Sequence, residues 1–344
     1  MNPPQKILVI RNDKIGDFML AWPAFSLLKT QYPDAEITAL VPEYTAPLAR
    51  QCEWIDRVLI DKRENTFIDD ILSLKNKIKY NNYDVSISLF SETRTAIALW
   101  LAGVETRIGP ATKLAQLFIN KKLKQNRSRS LKPEYEYNLD LVRHFIKMNQ
   151  QEPVIIQNAP YLVFDREECQ LIRKNLQLEY AISDGTELVI IHPGTGGSAI
   201  NLPLQDYAEL ADCIAGCKNV YFIITAGPDE LDNANDLSAL IHAPHHIHHS
   251  KGSIIDFCKF IGIADIFISG STGPLHIAGA LDIRTVAFYP SRKSATSLRW
   301  QTLNTTDRRL AFTLDKNADE KTSEMNMQAV CKRVCDTYLN ANIA

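Results

Sequence analysis

Lys6 to Leu20 reads KILVIRNDKIGDFML, and within this stretch a buried strand becomes a polar loop and then a helix. Lys6 to Ile10 is a short β-branched apolar run, the pattern of a strand covered on both faces. Arg11, Asn12, Asp13 and Lys14 break that run. Gly16 permits close approach of the backbone, and Asp17 follows at the start of the next helix, where the dipole favours a carboxylate. A first βα turn in an open parallel sheet lies at the carboxyl edge of the strands, where such folds bind ligands. Asp17 is therefore the candidate for chemistry, with a plain dipole complement as the alternative reading.

Working outward, 344 residues exceed one ordinary α/β domain and suit two. Apolar residues make up 45% and charged residues 23%, enough for both halves to bury cores. The net charge of −2 excludes a generally basic nucleic-acid binder, so no nucleic-acid partner is expected, although a local basic patch is compatible with it. No apolar run approaches the ~20 residues that span a bilayer. MNPPQK opens into a strand without a signal-peptide core, so a cytoplasmic location is expected. Seven cysteines without a regular framework agree with a reducing compartment. Cys213/Cys217 and Cys331/Cys335 are i,i+4 pairs on predicted helices, looser than the CxxC of most zinc sites. All seven read as small buried apolar residues, and no metal site is expected.

Helical spacing of Phe18, Leu20, Phe25, Leu27 and Leu28 predicts a helix over Gly16 to Tyr32, kinked at Pro23. Strands follow at Glu36 to Val41, Arg57 to Ile60 and Asp84 to Phe90, with helices between them. Such alternation implies a parallel sheet with helices on both faces, a Rossmann-like domain. Lys113 to Lys132 then carries Lys113, Lys121, Lys122, Lys124, Arg127, Arg129 and Lys132 with no acidic residue. It is either a solvated loop or a platform for phosphates or anionic lipid head groups. Glu134 to Met148 reads as a helix, and Gln150 to Pro160 as a linker.

A second series restarts with strands at Leu188 to His192, Val220 to Thr225, His245 to His248, Asp265 to Ser269 and Thr285 to Tyr289. The expected organisation is α/β, with Rossmann-like domains over residues 1–157 and 158–322 facing across a cleft, where ligands most often bind. A final helix, within 323–344, packs back on them.

Two strand-to-helix transitions in the second half carry more turn chemistry than a connection needs. IHPGTGGSAINLP, from Ile191 to Pro203, leaves a strand at His192 and passes through Gly194, Thr195, Gly196, Gly197 and Ser198. Accessible amides and hydroxyls there suit phosphate oxygens or a nucleotide. FISGSTGPLHIAGA, from Phe267 to Ala280, places Gly270, Ser271, Thr272 and Gly273 before a helix with Pro274 in its first turn and His276 nearly one turn on. That helix start suits a diphosphate. Simple helix capping by Ser271 or Thr272, and a structural role for His276, are the alternatives. The cluster His242, His245, His246, His248 and His249 looks like a metal tract, but a strand there would send neighbouring imidazoles to opposite faces.

RNDKIGDFMLAWPAF with YPDAEITALV behind it, HPGTGGSAINLPLQDYAELA and GSTGPLHIAGAL together resemble, in that order, the lipopolysaccharide heptosyltransferases of glycosyltransferase family 9. The resemblance runs from about Lys6 to Trp300. It implies a GT-B fold and a nucleotide-sugar donor such as ADP-heptose, held mainly by the second half. The acceptor it implies is a sugar of the lipopolysaccharide inner core, held by the first half. Transfer would invert the anomeric carbon, with no cofactor and no metal in the mechanism usually drawn. Asp17 matches the family's general base. Thr195 and Gly196 match its donor-contacting loop, flanked here by His192 and Gly194. Thr272, Gly273 and His276 match the diphosphate and nucleotide contacts, with Ser271 beside them where some members carry an aspartate. Many members also place Lys or Arg before a Trp-Pro pair; Ala199 to Pro203 has no cation here, and Arg292, Lys293 or Arg299 are the substitutes.

On this reading Asp17, with a pKa of ~3.9 when unperturbed, takes the proton of the acceptor hydroxyl while the helix start, His276 and a cation stabilise the leaving diphosphate. Asp13, Lys14 and Gly16 join the acceptor side. So do Lys121, Lys122, Lys124, Arg127 and Arg129, which imply peripheral contact with the inner membrane. A glycoside hydrolase would need two carboxylates flanking the bond, and Asp13 shares the short segment of Asp17. A dinucleotide oxidoreductase would need GxGxxG after the first strand, which RNDKIGD lacks. The remaining alternatives are a non-catalytic sugar-nucleotide binder and a transferase of the same fold with another donor sugar.

Overall fold

The computed structural model describes residues 4–63, 66–194, 202–314 and 325–339. The chain divides into two compact units, Met1–Gln157 and Asn158–Ala344, each built on one six-stranded sheet. The first unit runs β1 (Lys6–Ile10), α1 (Ile15–Met19), α2 (Trp22–Gln31), β2 (Glu36–Val41), α3 (Ala46–Gln51), β3 (Arg57–Ile60), α4 (Phe67–Asn81), β4 (Val85–Ser88), α5 (Thr93–Leu101), β5 (Thr106–Pro110), β6 (Lys121–Leu123) and α6 (Glu134–Met148).

All pairings in this sheet are parallel, in the order β3-β2-β1-β4-β5-β6. The chain builds outward from β1 to β3 and then returns to lay β4 on the other side of β1. The loops after β1 and β4 therefore diverge, which is the switch point where open α/β sheets bind ligands. Leu8 and Ile10 pack against Ile71, Leu74 and Ile78 of α4 and Ala98 and Leu99 of α5. Phe18, Trp22 and Phe25 interlock elsewhere in the unit, with ring centroids 6.0 and 6.2 Å apart. α4 begins where the Thr66 hydroxyl accepts from the Asp69 amide, and it stops at Asn82, whose φ of 51° is left-handed.

The single helix predicted over Gly16 to Tyr32 is two. Pro23 does not kink it; it opens α2, in whose first turn a missing N–H costs nothing. Strands β5 and β6 escaped the pattern because TRIGP carries turn residues and KKL is a short charged edge.

The second unit runs α7 (Arg166–Glu179), β7 (Glu187–His192), α8 (Leu204–Cys217), β8 (Val220–Ala226), α9 (Leu231–Ser238), β9 (His245–His249), α10 (Ile254–Ile261), β10 (Ile266–Gly270), α11 (Gly273–Ala280), β11 (Arg284–Tyr289), β12 (Arg309–Thr313) and α12 (Met327–Val334). Its sheet is again all parallel, ordered β12-β11-β10-β7-β8-β9, with β7 and β10 flanking the switch. Both loops singled out in the sequence, after β7 and after β10, leave from that point.

α12 continues as a π-helical turn over Cys335–Leu339, and Val330, Cys331 and Val334 join the core of the second unit. Here the reading of all seven cysteines as apolar packing is corrected: Cys213 of α8 and Cys331 of α12 form a disulfide. In the histidine tract His246 stacks on Tyr180 at 3.9 Å and His248 on Phe260 at 3.6 Å, while His245 bonds Ser238. Among the described residues no helix is long and apolar enough to cross a membrane.

Candidate active site

Each unit gathers polar groups at its own switch point. In the first, Arg11 leaves the end of β1 and is almost fully buried. Its guanidinium donates from Nε to Asp13 Oδ1 at 2.8 Å and from Nη2 to Asp17 Oδ1. Nη1 reaches Glu134 Oε1 at 3.2 Å, Asn138 Oδ1 at 3.1 Å and the Leu89 carbonyl after β4 at 3.4 Å. Burial opposes this charge, but Asp13, Asp17 and Glu134 together outweigh it and hold the guanidinium protonated. Asn138 in turn donates to the Leu20 carbonyl at 3.0 Å, tying the end of α1 to α6.

Asp17 therefore does not act only as a complement to the dipole of α1. It is one arm of a buried ionic cluster, and its side chain is 16% exposed. Oδ1 is taken by Arg11. Arg127 also enters the cluster, donating to Glu134 Oε1 at 2.6 Å and to the Leu89 carbonyl at 3.0 Å. Asp13, Asp17 and Glu134 thus crowd around Arg11, with Arg127 added on Glu134. Burial raises Asp17 above the usual carboxylate range against the pull of Arg11, and Glu134 adds to the rise. Asp13 is pushed up to about 7 by burial, with Arg11 opposing and Asp17 adding. Lys14 is exposed, Gly16 is buried within α1, and the Tyr44 hydroxyl closes over the loop by donating to the Asp13 carbonyl at 2.7 Å.

A second cluster on the same sheet edge went unseen in the sequence. Asn12 Nδ2 donates to Asp61 Oδ2 at 2.6 Å and Glu92 Oε2 at 2.9 Å, and Arg94 pairs with Asp61. Burial alone would raise Glu92, but hydrogen bonds from Thr95 and Arg63 and the charge of Arg94 bring it down to about 2. The ends of β1, β3 and β4 thus form one polar rim.

The basic stretch divides. Lys121, Lys122, Lys124 and Arg129 are exposed, whereas Arg127 turns inward to Glu134 and packs over the Tyr137 ring at 5.6 Å. Lys132 pairs with Asp140. Exposed Leu114, Leu117 and Leu131 accompany the outward cations, and Trp100 of α5, also exposed, meets Phe118 at 5.7 Å.

In the second unit His192 ends β7 in register with Ser269 of β10. The buried His192 ring contacts Thr225 Oγ1 at 3.1 Å through Nδ1 and lies 3.6 Å from Glu230 Oε2 through Nε2. Burial lowers its pKa against the pull of Glu230, which favours the neutral ring. Glu230 also accepts from the Gly227 amide at 3.1 Å and presses on Gly194, where a Cβ would collide with its carboxylate. A side chain at 194 would have to push the Glu230 carboxylate aside. Thr195 and Gly196 lie outside the described residues.

Thr272 occupies the N-cap position of α11 but does not cap it; its hydroxyl meets Ser269 Oγ at 3.1 Å. Among the described residues no side chain caps the start of α11, so capping does not explain this loop. Ser271, Gly273 and Pro274 are half-buried around that helix start. His276 is buried, its Nδ1 has no hydrogen-bond partner among the described residues, and burial lowers its pKa to about 4. Expected as part of a charge-stabilising set, it is a neutral ring at pH 7 and offers a hydrogen bond, not a charge. Arg299 is buried against the Trp300 ring at 5.2 Å, while Arg292 and Lys293 are exposed. Arg11, Glu134, Asn138 and Glu230 had no motif to mark them; the one local signal was a cation directly after an apolar strand.

This architecture is that of the GT-B glycosyltransferases. The structure of Escherichia coli ADP-heptose LPS heptosyltransferase II superposes with a TM-score of 0.75 at 17% identity, covering 98% of this chain and 99% of that one. E. coli heptosyltransferase WaaC with ADP superposes at 0.73 and 16%, covering 97% and 100%. The chain belongs to glycosyltransferase family 9 (heptosyltransferase), whose sequence model matches residues 71–328. A Haemophilus influenzae protein described as a candidate glycosyltransferase is 41% identical over 95% of this chain and 93% of its own length.

Proposed function

We propose that the chain transfers a heptose, or a closely related sugar, from an ADP-linked donor to the inner core of lipopolysaccharide with inversion at the anomeric carbon. The family membership and the names of the relatives that superpose on it support this donor and acceptor class. The observation that carries the chemistry is the Arg11 cluster, in which Arg11 holds one oxygen of Asp17 while burial, with the Glu134 charge adding, raises its affinity for a proton. A base with a pKa lifted toward neutrality is better matched to deprotonating a sugar hydroxyl as the new bond forms. The second unit supplies the donor subsite: the uncapped start of α11 for the diphosphate, and His276 Nδ1 and the His192 to Gly194 turn for neutral contacts. Charge building on the leaving diphosphate is met by that helix start and by Arg299, without a catalytic metal.

Lys121, Lys122, Lys124 and Arg129, with Leu114, Leu117 and Leu131 beside them, form the surface that meets an anionic membrane carrying the acceptor. Arg127 is reserved for Glu134. The protein then works at the cytoplasmic face of the inner membrane.

The test mixes the protein with ADP-heptose and a heptose-deficient lipopolysaccharide core, without added divalent cation, and follows product by mass. Asp17→Asn should lower turnover on the order of 10²–10⁴-fold, the usual contribution of a positioned base, with donor affinity changed only a few-fold. Donor binding without transfer by the wild type would make the chain a non-catalytic binder. Near-normal turnover by Asp17→Asn would remove the base assignment.

A further inference from the structure

The cysteines are not spread evenly. Cys213 and Cys217 lie one turn apart on α8, and Cys331 and Cys335 lie one turn apart on α12 and the turn that continues it. The packing of α12 on α8 brings the pairs together. Cys213 and Cys331 are bonded across a Cα separation of 6.2 Å, and Cys331 Sγ lies 4.0 Å from Cys335 Sγ. The sulfurs of Cys217, Cys331 and Cys335 all fall within 4.8 Å of one another. Cys331 and Cys335 are fully buried, Cys213 and Cys217 half-buried. Apolar packing asks only for volume and gives no reason for four sulfurs to converge. A soft tetrahedral cation gives one, since four thiolates about 2.3 Å from zinc stand about 3.8 Å from each other.

We propose that Cys213, Cys217, Cys331 and Cys335 form a zinc site that is open only when reduced, and that the Cys213–Cys331 disulfide is its closed, oxidised form. A dithiol reductant gives two electrons and two protons to the bridge, opening it to two thiols and becoming a disulfide itself. Zinc then displaces four thiol protons and is held by four thiolates. Cys213 lies nine residues along α8 from its start at Leu204, about 14 Å at the helical rise, so the site is separate from the glycine turn that precedes α8. Its effect is structural, pinning the last described helix to the second unit.

The full chain, purified under a phosphine reductant, is titrated with Zn²⁺ and with Co²⁺. Binding of about one ion per chain, thiolate-to-cobalt charge-transfer absorption and release of protons are expected. The absorption should be lost in the double variant Cys217→Ser, Cys335→Ser and kept in Cys169→Ser, whose thiol lies elsewhere, on α7. Oxidation with diamide should release the ion as the Cys213–Cys331 peptide pair appears by mass spectrometry. Absence of cobalt–thiolate absorption from the reduced wild type would overturn the site, whatever the variants do. Absorption unchanged in the double variant, or an ion retained once the bridge has formed, would overturn it equally.

Discussion

Glu134→Gln tests the Arg11 cluster without touching the proposed base. Gln keeps an oxygen for the Arg11 and Arg127 donors that now meet Glu134 Oε1 at 3.2 and 2.6 Å, so the packing of α6 should survive. What disappears is the Glu134 negative charge. Glu134 and Asp17 bond to the same guanidinium, so the two carboxylates repel. Burial is the larger cause of the rise in Asp17, and the Glu134 charge adds to it against the pull of Arg11. Asp17 works ionised, so activity falls as pH drops through its folded pKa. Removing the repulsion moves that acid limb down. The profile of kcat/KM against pH, measured for sugar transfer, should therefore shift its acid limb lower in Glu134→Gln, with less change at the alkaline end. The limb reports Asp13 and Asp17 jointly, and Asp13→Asn should shift it the same way because Asp13 and Asp17 repel. An acid limb that stayed in place, or rose, in Glu134→Gln would refute the part assigned to the Glu134 charge.

Neutralising Lys121, Lys122, Lys124 and Arg129 should cost on the order of 10³-fold in binding to vesicles containing phosphatidylglycerol, at about 1 kcal/mol per cation near the surface. Co-sedimentation measures this, and an unchanged partition would dismiss the membrane surface. His276, lowered to about 4 by burial, gives the second unit stability that is complete above the unfolded value near 6.5 and lost as pH falls from there toward 4. His246, held at about 4 by burial, with His248 and His245 contributing, acts in the same window. Thermal melts of His276→Gln between pH 7 and 4 should show a shallower acid loss than the wild type, and an identical slope would contradict the buried neutral ring. Gly194→Ala should lower the thermal midpoint of the second unit only slightly, because the Glu230 carboxylate it meets is the end of a flexible side chain that can swing aside. Adding Glu230→Ala should recover part of that loss, and purely additive effects would show that the two do not touch.

The fold was legible where local chemistry and global topology agree. β1, β2, β3 and α6 were expected within a residue of where they lie, because β-branched runs and helical spacing are properties of neighbouring residues. Pro23 and β6 were misread for the same locality: whether a proline kinks a helix or opens one, and whether Lys121 to Leu123 finds an edge to pair with, depends on what arrives from elsewhere in the chain. The glycine turns after β7 and β10 were visible as turn chemistry, but that they flank one switch point follows only from the strand order.

The site illustrates the limit more sharply. Asp17 stood out because of its place in a βα turn, yet its properties depend on burial, on Arg11, which the sequence showed only as breaking an apolar run, and on Glu134, more than a hundred residues away. Arg127 went the other way: counted among solvent-facing cations, it is drawn in by the same Glu134. A charge cluster is a sum over partners whose members are individually unremarkable, so no spacing rule reveals it. The cysteines obey the same logic, since i,i+4 pairs on two helices mean nothing until the helices pack. What the sequence offers is the list of groups that need partners, and the fold decides which needs are met by one another and which, as at His276 Nδ1, are met by none of the described residues.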